Sequence, residues 1–92
     1  MDRIGAEIHV EGRVQGVSFR VFVASAARSL GLSGLCRNLE SGEVLVRAEG
    51  ERKKIESLIE RLWIGPPAAK VDEVRVVWKP WQGEYEGFII DG

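Results

Sequence analysis

The sequence predicts an α+β fold of two layers, an antiparallel sheet with two helices packed on one face. Three observations lead there. Apolar and polar residues alternate over residues 4–14, 43–49 and 71–79, and a period of two marks a strand with one buried face. Over residues 19–30 and 51–63 the apolar residues recur three and four apart instead, which draws one stripe along a helix. The segments run strand, helix, strand, twice over, and that split βαβ order folds as a βαββαβ sandwich.

In the first strand Ala6, Ile8, Val10 and Val14 fall on one side, and Glu7, His9, Glu11 and Arg13 on the other. Phe19, Phe22, Val23, Ala26, Ala27 and Leu30 stripe the first helix, with Ser18 as its N-cap and Gly31 as its stop. Residues 33–39, SGLCRNL, make a short second strand. Glu40-Ser41-Gly42 turns it into EVLVRAE, where Val44, Val46 and Ala48 share a face. Gly50 closes that strand. Ile55, Leu58, Ile59 and Leu62 stripe the second helix, and Arg52 and Glu56, four apart, are set to pair on its wet side. Gly65-Pro66-Pro67 ends it. Val74, Val76 and Trp78 line one face of the fourth strand, and GFIID offers a short fifth at an edge. The result is a ferredoxin-like arrangement, with residues 1–92 as one domain. Such an arrangement serves many functions and by itself decides none.

Apolar residues are 45% of the chain and charged ones 29%, enough for one core and unlike a disordered chain. A net charge of −1 argues against a nucleic-acid module, whose affinity comes largely from neutralising phosphates. A single cysteine, Cys36, can make no intramolecular disulfide, so a reducing compartment is expected. MDRIGAE does not begin a signal peptide, and no apolar run approaches membrane-spanning length. The expectation is a soluble cytoplasmic monomer with no nucleic-acid and no membrane partner.

The chemistry concentrates in GRVQGVSFRVF, residues 12–22. A chain that leaves a strand, turns on glycine and enters a helix presents unpaired N–H groups, and the helix dipole adds positive charge there. Such a place attracts phosphate. Gly16 lets the backbone approach an anion, and Arg20 adds a planar, permanently charged fork of donors. On the residues alone, Gln15 to Arg20 is either this anion cradle or a plain loop with a surface arginine. It is neither the P-loop of nucleotide hydrolases nor a dinucleotide fingerprint.

Residues 12–20, GRVQGVSFR, resemble the first signature of the acylphosphatase family. Gly34-Leu35-Cys36-Arg37-Asn38 resembles its second, a glycine, two apolar positions, a polar residue and an asparagine. LESGEVLVRAEG resembles the family's hairpin and third strand, and the likeness extends over nearly the whole chain. It implies metal-free hydrolysis of the carboxyl–phosphate bond of acyl phosphates, giving a carboxylate and inorganic phosphate, with no cofactor. By motif position Arg20 would bind the phosphoryl group, Asn38 would orient the attacking water, and the backbone of Gln15, Gly16, Val17, Ser18 and Phe19 would hold phosphoryl oxygens. Inorganic phosphate would be product and inhibitor. Ser18, Val21, Leu35 and Cys36 depart from the family's commoner residues, at the rim and packing of the site rather than its polar core. Ser18 either caps the helix or bonds the phosphate or the water.

Other residues have plainer roles. His9 lies on the polar side of its strand with no obvious partner, and one Cys with one His cannot build a structural zinc site. Cys36 lacks a paired base and is a packed or exposed thiol. Arg52, Lys53 and Lys54 form a solvated face, and Trp78, Trp81 and Tyr85 suggest an aromatic packing cluster. Two further readings compete with the enzyme. An RNA reader of this fold stacks bases on aromatics of its central strands, and IGAEIHVEGRV and EVLVRAE carry none. A regulatory or accessory domain would keep the anion pocket and lose turnover; within the family, a relative of the acylphosphatase-like domain of larger carbamoyl-transfer proteins is also open.

Overall fold

The computed structural model describes residues 2–92. Strand β1, Arg3–Arg13, runs through the sheet interior, and its alternating pattern sets the register of everything around it. It pairs antiparallel with β3, Val44–Glu51, on one side and with β4, Lys70–Lys79, on the other. Ile8 lies opposite both Val46 and Val76, and Val10 opposite Val44 and Val74. One apolar face therefore extends unbroken across three strands.

Helices α1, Phe19–Ser29, and α2, Arg52–Ile64, cover that face. Phe19, Val23 and Ala27 from α1 and Ile55, Leu58 and Leu62 from α2 join Ile8, Val10 and Val46 in one buried core. Each large apolar side chain so buried contributes about 1.5–3 kcal/mol. Phe22, Leu30 and Ile59 of the predicted stripes sit half-buried at the core's margin. Helix α1 ends where Gly31 N–H donates to the Arg28 carbonyl at 3.1 Å and Leu32 N–H to that of Ala27 at 2.9 Å, the paired bonds of a Schellman stop. On the exposed side of α2, Arg52 Nε meets Glu56 at 3.4 Å and its guanidinium covers the Trp78 ring at 4.3 Å. Lys53 and Lys54 are exposed.

Strand β2, Ser33–Asn38, pairs antiparallel with β3, and β5, Phe88–Ile90, lies beyond it, giving the order β4-β1-β3-β2-β5. Four strands are antiparallel as expected, while β5 joins parallel to β2 and makes the sheet mixed at that edge. Its direction follows from the path of the chain. After β4, residues 80–87 cross the uncovered sheet face, where Gln82 and Gly83 N–H donate to the Glu49 carboxylate at 2.8 and 3.0 Å. That crossing also breaks up the aromatic cluster expected at Trp78, Trp81 and Tyr85. Trp78 points with Val76 toward the helices, whereas Trp81 lies on the opposite face, 5.3 Å from the Arg3 guanidinium. The ring pair that forms is Phe19 with Phe22, centroids 6.0 Å apart.

Gly34 is fixed by a close approach. Its φ is 144°, and a Cβ there would sit 1.8 Å from the Arg47 carbonyl oxygen. The first residue of the second motif is therefore glycine because two strands pass too closely for anything else.

Candidate active site

Strand β1 and helix α1 are joined by a short loop at one end of the sheet, and β2 ends beside it. Gly16, Ser18, Phe19 and Arg20 from the loop and helix start, and Asn38 from the end of β2, line one concavity of about 350 Å³. Gly16 has φ 74°, and open space lies where its side chain would be, so an anion oxygen can come up to the backbone. Phe19 is almost fully buried and belongs to the core. Val21 and Ile90, 62% and 40% exposed, form an apolar outer rim. Gln15 and Val17 lie outside the concavity: the Gln15 amide turns to the β2–β3 hairpin and Val17 packs at the core margin.

Two features of the polar groups are informative. Among the described residues Arg20 enters no ion pair, so its charge is uncompensated at the positive end of α1. Asn38 Oδ1 is buried without a hydrogen-bond partner. A buried orphan acceptor is costly and calls for a bound water or ligand. A cation, helix N–H groups and an unpaired acceptor together suit an anion with a water beside it.

Ser18 holds the N-cap position, and Phe22 N–H donates to its carbonyl at 3.1 Å. The expected side-chain cap is absent. Ser18 is in the left-handed region, φ 62° and ψ 26°, with no cap bond from its hydroxyl, because a side-chain cap needs the extended backbone that this residue lacks. It is the one non-glycine residue with positive φ among those described. Relieving that strain, Ser18→Gly raises stability by about 0.5–1 kcal/mol, the αL penalty less the entropy of an added glycine. Thermal unfolding checks this; a fall in Tm would mean the hydroxyl makes a bond that matters.

Cys36 is buried beneath α1, its thiol pointing at the Arg20 carbonyl oxygen at 3.6 Å. Burial pushes its pKa up to about 11, against the opposing pull of Arg20 and Arg28. It therefore stays a protonated packing group rather than a nucleophile. His9 is not partnerless: its ring sits on the uncovered face between Glu7 and Glu43, each at 3.4 Å, and lies outside the concavity. No group of three or more His, Cys, Asp or Glu among the described residues is placed to hold a metal.

The uncovered face gives the pH behaviour. Glu43 would be raised by desolvation, but bonds from Arg75, Ser41 and His9 hold its carboxyl below the usual range. Glu7 is likewise held low against desolvation by His9, Lys79 and Arg47. Depressed folded pKa values give stability that is fully present above the unfolded value, about 4.3. It is lost as pH falls through the folded ones. A Tm series at falling pH is expected to be flat above that value and to drop below it, and Glu43→Gln flattens the drop. A second concavity of about 240 Å³ lies on this face near Glu7, Arg47, Glu49 and Lys79. Glu7 there pairs with Arg47 and Lys79, Glu49 accepts from backbone N–H groups, and Glu84 adds a further carboxylate, so the lining is poorly suited to an anion.

The sequence motifs thus meet in one place. Val21 lies at the rim, as expected from its departure from the family's commoner residue, and Ile90 joins it there without having been expected. Val21 carried a signal, an apolar residue off the helix stripe, whereas Ile90 depends on a long crossing that no local pattern reveals.

Comparison with known proteins places the chain's sequence and fold. The acylphosphatase family model matches residues 6–90. The chain is similar to an acylphosphatase of Pelotomaculum thermopropionicum, 43% identical over 90 residues and 98% of each chain. Its structure is similar to the crystal structure of acylphosphatase from Bacillus subtilis, with a TM-score of 0.93 and 34% identity over 97% of this chain and 99% of that one. It is also similar to part of full-length HypF in the phosphate- and nucleotide-bound form, with a TM-score of 0.89 and 36% identity, covering 99% of this chain and 12% of the other.

Proposed function

The chain belongs to the acylphosphatase family, and from that premise we propose that Arg20 and the loop backbone bind the phosphoryl group while Asn38 fixes the attacking water. The reaction is hydrolysis of an acyl phosphate. The water oxygen bonds to phosphorus, the bond from phosphorus to the acyl oxygen breaks, and the electron pair leaves with the carboxylate. Both of the water's protons end on the phosphate product, which leaves as dihydrogen phosphate. A carboxylate is a stable leaving group, so no general acid is needed, and catalysis reduces to positioning and charge stabilisation. The loop amides and Arg20 supply the charge. Asn38 accepts from the water without taking its proton. No covalent intermediate, metal or cofactor enters these steps. The observation that carries the assignment is that Arg20, which enters no ion pair among the described residues, and Asn38, whose buried Oδ1 has no protein partner, line one concavity.

The domain is proposed to act on its small-molecule substrate as a cytoplasmic monomer. Its one cysteine is free and buried, and no helix of the described residues is long and apolar enough to cross a membrane. The test is hydrolysis of benzoyl phosphate, with and without a strong chelator and with inorganic phosphate added. Turnover that survives chelation and is inhibited competitively by phosphate is expected, since product and substrate share the cradle. A folded chain that binds phosphate without turnover would be an accessory domain instead.

A further inference from the structure

We propose that Gln15 is a positioning residue: its side chain does not bind phosphate but fixes Asn38 and its water against the anion loop. This rests on the assignment of Arg20 and Asn38 above. Both donors of the Gln15 amide are committed elsewhere. Nε2 donates to the Leu39 carbonyl at 2.8 Å and to the Glu43 carbonyl at 2.9 Å. These two carbonyls bracket the β2–β3 turn, which closes on itself through Leu39 N–H to Glu43 at 2.9 Å and Gly42 N–H to Leu39 at 3.0 Å. Leu39 immediately follows Asn38, and Gln15 immediately precedes Gly16. One amide therefore stitches the loop that meets the anion to the residue next to the one that meets the water.

Asn38 needs such a stitch because its own Oδ1 has no protein partner to aim it. Its direction is inherited from the backbone of a hairpin end. The far side of that end is anchored too: the Glu43 carboxylate is held by Arg75 and lies beside His9. Without Gln15, the hairpin and the loop would still fold, but their spacing would be free to vary by a fraction of an ångström or more. Displacements of that order cost rate far more than affinity.

The test pairs Gln15→Met, similar in length but without donors, with Asn38→Ala in a double-mutant cycle. Benzoyl phosphate kcat and the Kd of inorganic phosphate are measured for each folded variant. Gln15→Met is expected to lower kcat about tenfold or more. The phosphate Kd should stay within about twofold, and in the Asn38→Ala background the same change should cost less than about twofold in kcat. Equal losses in both backgrounds, or a phosphate Kd that weakens in step with kcat, would overturn the proposal. If Gln15→Met does not fold, wild-type NMR decides. The Gln15 side-chain protons should exchange slowly and hardly shift as phosphate saturates the protein, and fast exchange or a large shift would overturn it. An inactive wild type would instead sink the assignment beneath, and the NMR measurement would still judge Gln15.

Discussion

Arg20→Gln is expected to lower kcat/KM by about a thousandfold, with phosphate affinity falling alongside. Arg20 is the one side-chain cation among the residues lining the concavity. Glutamine can still donate a hydrogen bond, but it carries no charge and no planar fork. Removing a preorganised donor from a developing charge costs about 10²–10³ in rate, and arginines that stabilise a transferring phosphoryl group reach about 10³–10⁵. The sign of the stability change separates this loss from damage to the fold. Arg20 enters no ion pair among the described residues and sits where the helix dipole disfavours a cation. The variant should melt at the same temperature or slightly higher. A variant that loses activity and several degrees of Tm together would show that Arg20 holds the loop rather than the substrate.

Asn38→Ala is expected to lower kcat by about 10²–10³, with phosphate affinity changed only a few-fold. In the proposed arrangement the loop side holds the phosphoryl group, and Asn38 comes from β2, so the two functions would be divided between two elements. Its Oδ1 pairs with nothing in the protein, so removing it breaks no bond of the fold. Steady-state kinetics and a phosphate titration on the same preparation check this. Equal losses of affinity and rate would mean Asn38 binds the anion instead of the water.

The layers and both helices were legible because burial imposes a period. Ile8, Val10, Val44, Val46 and Val74 had to share a face, and Ile55, Leu58 and Leu62 a stripe, for one core to close. Arg20 drew notice because it follows a glycine turn into a helix start, whereas Asn38 was legible only through the resemblance of residues 34–38 to the family's second signature. What failed to show was long-range or dihedral. Ser18 reads as a capping serine, but a cap also requires an extended backbone, and the loop's reversal removes it. Gln15 bonds to carbonyls 24 and 28 residues away, and any residue type provides a carbonyl. His9 acquired its neighbour Glu43 through strand register, and Trp81 left Trp78 through the crossing that carries the chain to β5.

The interior position of β1 has a consequence for how fast the chain can fold. This strand is the first of the chain, yet its two partners come from the middle of the chain and from beyond α2. Neither pairing is local, and the entropy of closing each large loop is lost before any contact is gained. The nearby hairpin of β2 and β3 can form early. The loop carrying Arg20 hangs from β1, so it takes its place opposite Asn38 only when β1 docks onto that hairpin. Refolding is expected to be slower than for a helical bundle of this size, with phosphate binding appearing in the same kinetic phase as the sheet.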